Sequence, residues 1–121
     1  MMAYEYDGVK QLETDEVLHI FKTKPANVVL LDVREPHEYN AGHIPGVKLL
    51  PTSQFIDRFE QELDKDKEYV VICRTGNRSH MVCKFLQEHG FTQCANYAQG
   101  MVDWPGPFET ANLPPVEGER W

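Results

Sequence analysis

The chain has 121 residues, the length of one ordinary domain, and its 41% apolar and 26% charged residues exclude a disordered or fibrous protein. A formal net charge of -7 excludes the basic surface that a nucleic-acid binder needs, and the apolar runs are too short to span a bilayer. The three cysteines, Cys73, Cys83 and Cys94, cannot all pair within one chain and show no CxxC spacing, so neither a disulfide framework nor a structural zinc site is expected. The first ten residues are acidic and aromatic, without the basic start and apolar stretch of a signal peptide, which predicts a cytoplasmic protein.

In chain order, residues 14–22 read as a first helix, with Thr14 as its cap and Val17, Leu18 and Phe21 facing inward. Residues 28–33 (VVLLDV) follow the breaker Pro25 and read as a buried strand, apolar on both faces as parallel strands are. A short strand is expected near 47–50. Residues 53–63 carry Phe55, Ile56, Phe59 and Leu63 at helical spacing, with Ser53 as the cap. The charge run over 57–68 fits a solvated helix face. Residues 69–73 (YVVIC) repeat the buried-strand pattern. Residues 79–89 place Met81, Val82, Phe85 and Leu86 on one stripe, and Gly90 closes that helix. A last short strand is expected at 94–97, and the Pro- and Glu-rich tail from 105 onward should lie over the surface or fray. Strands alternating with helices predict one α/β domain over 1–121, with a mainly parallel sheet and ligands beyond the carboxyl ends of its strands.

Chemistry gathers where the strand at 69–73 ends. Cys73 stands there, a short polar loop of Arg74, Thr75, Gly76 and Asn77 follows, and Arg78 and Ser79 lead into a helix. That places the sulfur over a helix N-terminus, where unpaired N–H groups and two arginines favour the thiolate. The expected product is an anion cradle with a nucleophile at its base.

Further motifs surround this loop: Asp32, Val33, Arg34 and Glu35; Glu38 and Tyr39; Gly42, His43, Ile44, Pro45, Gly46 and Val47; His89, Gly90 and Phe91; and Gly100 through Trp104, with Leu113 and Pro114 beyond. Together and in this order, over roughly residues 8–115, they resemble the rhodanese domains. The resemblance implies a five-stranded, mostly parallel sheet with helices on both faces. It also implies a sulfurtransferase that carries a sulfane sulfur on Cys73. In that chemistry the Cys73 thiolate attacks the outer sulfur of thiosulfate or another persulfide donor, and a thiol, cyanide or protein acceptor takes the sulfur away. The loop from Arg74 to Ser79 would hold the donor and the persulfide. Asp32, Arg34 and Trp104 would support it: Asp32 by accepting bonds from the cysteine loop, pairing with an arginine there or capping, Trp104 at the mouth or in the core. Arg34 and Glu35 are expected to pair with each other. The family's usual Gly-Gly is Gln99-Gly100 here, so some difference in the local backbone is expected.

Four residues separate Cys73 from Arg78, the sulfurtransferase spacing. Related phosphatases and arsenate reductases have a loop longer by one residue, which makes that activity the weaker alternative. A sulfur carrier or partner-docking module with poor thiosulfate turnover is the other. Cys83 and Cys94 are expected to be buried apolar residues, His43 structural and His80 solvent-exposed. His19, His37 and His89 show no ligand spacing with the cysteines, so no metal and no cofactor is expected. The sequence leaves the oligomeric state open.

Overall fold

The computed structural model describes residues 3–116. Strands β1 (Tyr4–Tyr6) and β2 (Val9–Leu12) form a hairpin whose two-residue turn, Asp7-Gly8, has positive φ at both positions. Then come α1 (Thr14–Thr23), β3 (Val28–Asp32), α2 (Pro36–Ala41), β4 (Lys48–Leu49), α3 (Thr52–Glu62), β5 (Glu68–Ile72), α4 (Asn77–Glu88), β6 (Cys94–Tyr97) and a 3-10 turn, Met101–Asp103.

The sheet has six strands in the order β1-β2-β6-β5-β3-β4. Five of them, β2 to β4 in that order, run parallel, and β1 adds an antiparallel edge. The expected five-stranded sheet is therefore present with one strand more. Tyr4, Glu5 and Tyr6 are all exposed, so no alternation of burial marked β1 in the sequence.

Side-chain alternation divides the core into two layers. Tyr69, Val71 and Cys73 on β5 and just beyond it face α3 and α4, with Phe55, Phe59, Leu63, Val82, Cys83 and Leu86. Val70 and Ile72 face the other way, with Val17, Ile44, Met101 and Trp104. Helices thus cover both faces, and every parallel strand points its carboxyl end to one edge. Burial of these side chains contributes on the order of 1.5–3 kcal/mol each to the gross driving force.

Helix starts differ from the expected ones by a residue or two. Glu13, not Thr14, caps α1, through a capping box with Glu16. Helix α3 begins at Thr52 and α4 at Asn77. Ser53 is not a cap. It lies in the first turn of α3, where its backbone N–H and hydroxyl both donate to the Glu35 carboxylate. Helix α2, rich in polar residues and only six long, carries Pro36 at its first turn and its own capping box between Glu35 and Glu38. The chain after it is tied down: His43 and Glu109 exchange backbone hydrogen bonds, and the Asn40 amide brackets Leu113. The tail up to residue 116 accordingly lies over the surface, and its last five residues fall outside the described ones.

Candidate active site

Cys73 directly follows β5, and its side chain belongs to the α4-facing layer of the core, with 1% of its surface exposed. Its Sγ lies 3.2 Å from the Gly76 backbone N–H, which donates to it, and 3.2 Å from the Ser79 hydroxyl. Gly76 caps α4 in the left-handed region at φ +92, so the loop turns back over the sulfur before the helix starts. No other residue fits: a Cβ at Gly76 would stand 2.2 Å from the Ala98 carbonyl oxygen. Gly100 meets the loop from the other side, where a Cβ would come within 2.5 Å of the Arg74 carbonyl oxygen. Two backbone bonds, Met101 N–H to Cys73 O and Val102 N–H to Arg74 O, complete the clamp. The loop is thus fixed by its neighbours, and that fixes the N–H aimed at sulfur.

The two arginines have different environments. Arg78 donates from both terminal nitrogens to the two Glu38 oxygens, at 2.7 Å each, a bidentate pair between α4 and α2. Glu38 holds the Arg78 guanidinium still more firmly protonated, and the nearby Cys73 sulfur adds to this. Burial pushes the Glu38 carboxyl up, but Arg78 and the Glu35 N–H outweigh it and hold it below the ordinary carboxylate range. Arg74 is exposed, and its guanidinium makes no ion pair among the described residues. It borders an open groove of about 700 Å³ beside the loop, together with Glu38, Met101, Val102 and Phe108. Thr75 and Asn77 are exposed on the loop's outer side.

Among the supporting residues Arg34 pairs differently from expectation, while Asp32 and Trp104 each take one of the alternatives expected of them. The Asp32 carboxylate accepts the Arg34 backbone N–H and its Nε and Nη2, at 2.8–3.2 Å. Asp32 therefore braces its own loop rather than the cysteine loop. Arg34 is paired with Asp32 rather than Glu35, and it also donates to the Gly42 carbonyl. Glu35, fully buried, instead receives Thr52 and Ser53 at the start of α3. Trp104 packs in the core against Phe21 and Tyr97, its indole N–H bonded to Pro107 O. Met101 and Val102 take the groove wall in its place. His43 is buried, stacked on Tyr39 and bonded to its carbonyl. His80 is not solvent-exposed as expected: its ring bridges Gln11 and Asp7.

Cys83 and Cys94 are buried free thiols. Burial pushes both up, Cys94 to about 12. Sequence reasoning missed Glu38 as the partner of Arg78, and it missed Asn96 and Gln11 behind the loop. Asn96 left a signal, as a polar residue at a core-facing position of a buried strand. No helix among the described residues is long and apolar enough to cross a membrane.

The sequence profile of the rhodanese-like domain family matches residues 13–106. YtwF of Bacillus subtilis is 40% identical over 103 residues, covering 85% of this chain and 88% of its own. The thiosulfate:glutathione sulfurtransferase of Saccharomyces cerevisiae is 30% identical over 116 residues, covering 86% of this chain and 78% of its own. YrkF of Bacillus subtilis is 35% identical over 100 residues, 83% of this chain, which spans only about half (48%) of that protein's length. Among solved structures, a rhodanese-like domain protein from Staphylococcus aureus superposes with a TM-score of 0.76 at 28% identity, covering 84% of this chain and 98% of its own. Sequence, loop and fold agree, and the chain belongs to the rhodanese-like domain family, whose members similar to it include sulfurtransferases.

Proposed function

We propose that the protein moves a sulfane sulfur from thiosulfate or a persulfide donor to a nucleophilic acceptor, carried as a persulfide on Cys73. The observation that carries this is the sulfur itself, buried at the base of a fixed loop with the Gly76 N–H and the Ser79 hydroxyl upon it. The thiolate attacks the outer sulfur of thiosulfate. A bond forms between the two sulfurs, the donor's S–S bond breaks, and sulfite leaves with the electron pair. The terminal sulfur of the persulfide then bears the negative charge, which loop N–H groups at the start of α4 are suited to hold. An acceptor thiolate attacks that terminal sulfur, and the Cys73 thiolate departs unchanged. Arg74, at the groove and without an ion pair among the described residues, is the residue for the donor's oxygens.

A second reading is a carrier loaded by a protein persulfide, with slow thiosulfate turnover. Its support is the commitment of Arg78 to Glu38, which leaves one guanidinium for a small dianion.

The test is the intact mass of the reduced protein after incubation with thiosulfate, beside Cys73→Ser. Gain of one sulfur atom in the parent alone is expected. Gain in the variant too would remove Cys73 from its role. No gain in the parent from thiosulfate, but gain from a protein persulfide, would favour the carrier.

A further inference from the structure

Behind the loop lies a chain of hydrogen bonds whose direction can be worked out atom by atom. Asn96 on β6 and Gln11 on β2 are register neighbours, 2% and 3% exposed, on the sheet face that α4 covers. The Asn96 amide lies 3.0 Å from the Gly76 carbonyl, which can only accept. The atom there must be Nδ2, so Oδ1 is the atom 2.5 Å from the Ser79 hydroxyl. The second Nδ2 proton goes to Gln11 Oε1. Gln11 Nε2 in turn faces the Val9 carbonyl and His80 Nδ1, and His80 Nε2 donates to Asp7.

A serine hydroxyl has one proton. With Oδ1 as a pure acceptor, that proton lies toward Asn96, and the Cys73 thiol can donate its own to Ser79. Every donor in the series then points away from the sulfur. When the thiol loses its proton to solvent, the sulfur, which already accepts the Gly76 N–H, can no longer donate to Ser79 and needs the same Ser79 proton. We propose that Asn96 is a positioning residue that competes with the Cys73 sulfur for the single Ser79 proton and so restrains formation of the reactive thiolate. This rests on Cys73 being the sulfur-bearing residue. The other charged and titratable groups near the sulfur are Arg74 beside it, Arg78 and Cys83 on α4, and Glu38 on α2, bound to Arg78. The Asp32 carboxylate at the end of β3 is bound to Arg34. The hydrogen bonds of the Ser79 hydroxyl are to Cys73 and Asn96.

Removing Asn96 should not free the loop. The Gly76 carbonyl keeps the His80 backbone N–H, and the Ala98 contact keeps its backbone in place. Asn96→Ala therefore releases the hydroxyl to the sulfur, and a charge-assisted bond to the thiolate raises its population about tenfold.

The experiment is the rate of Cys73 alkylation by iodoacetamide across about pH 5 to 9, read on its own peptide. The proteins are the parent, Asn96→Ala, Ser79→Ala and the double variant. Expected is about a tenfold faster rate for Asn96→Ala at the acid end, with a smaller difference toward the alkaline end. That gain should vanish when Ser79 is absent. A slower or unchanged rate in Asn96→Ala, or an equal gain without Ser79, would overturn the inference. Should Asn96→Ala not fold, Asn96→Asp keeps the shape and an acceptor toward Ser79, and it should slow alkylation. A faster rate would overturn the inference as well. A parent that shows this pattern yet takes up no sulfur from any donor would refute the proposed function alone.

Discussion

At the scale of single residues, the two loop arginines part company. Both looked alike in the sequence, one at each end of the loop. Arg78 is spent on Glu38, their side chains 21% and 15% exposed, and the pair ties α4 to α2. Arg74 is exposed at the groove. Arg74→Ala should therefore lower kcat/KM for thiosulfate by about tenfold, the loss of one charge-assisted hydrogen bond, and leave stability unchanged. Arg78→Ala should cost about 1–2 kcal/mol of stability, between the values for exposed and fully buried pairs. Urea denaturation and steady-state rates on both variants separate these effects, and the reverse pattern would exchange the two roles. The thiols differ in the same way. Burial pushes the Cys94 thiol to about 12 and the Cys83 thiol up as well. Iodoacetamide on the native protein at neutral pH should label Cys73 first, and the others only after denaturation.

At the scale of elements, the loop works because its neighbours leave it one conformation. Gly76→Ala would set a Cβ against the Ala98 carbonyl, at a φ that alanine tolerates poorly. The loop must then shift, the N–H at sulfur moves with it, and sulfur transfer should fall well over tenfold with a stability loss of about 1–3 kcal/mol. Full activity in this variant would mean that the Gly76 N–H contributes nothing. The loop was legible in the sequence because strand end, glycine and helix start are contiguous, and so were β3, β5 and the helices with apolar stripes. The start of α4 was placed two residues late, since the cap is a left-handed glycine rather than a serine. Helix α2 and strand β1 carry no apolar pattern, so neither could be seen. The partners of the loop were hidden for another reason. Asn96 meets Gln11 across 85 residues, through a parallel register that only the folded sheet defines. Glu38 likewise reaches Arg78 from a separate helix, 40 residues away.

At the scale of the whole molecule, the same kind of pairing joins separate parts of the chain. Asp7, in the β1–β2 turn, is held below the usual carboxylate range by hydrogen bonds from His80 and Lys84 of α4. Glu62 on α3 is held low by Arg58 and by Lys48 of β4. Burial works against Glu38, but Arg78 and the Glu35 N–H hold it low as well. A carboxyl whose folded value is depressed adds stability that is present above its unfolded value, about 4, and lost as pH falls through the folded value. All three groups act in this direction, so the protein should lose stability progressively below about pH 4.5. Their weights differ. Asp7 is exposed and screened, Glu62 stands near the surface, and Glu38 alone is a bidentate partner with little exposure. Glu38→Gln should therefore lower the urea midpoint at neutral pH and flatten its fall toward about pH 3, because the variant has no carboxylate there to protonate. Asp7→Asn should lower it less. An acid limb as steep in Glu38→Gln as in the parent would place the pH sensitivity outside the α2–α4 bridge, on the outer pairs of the sheet edges.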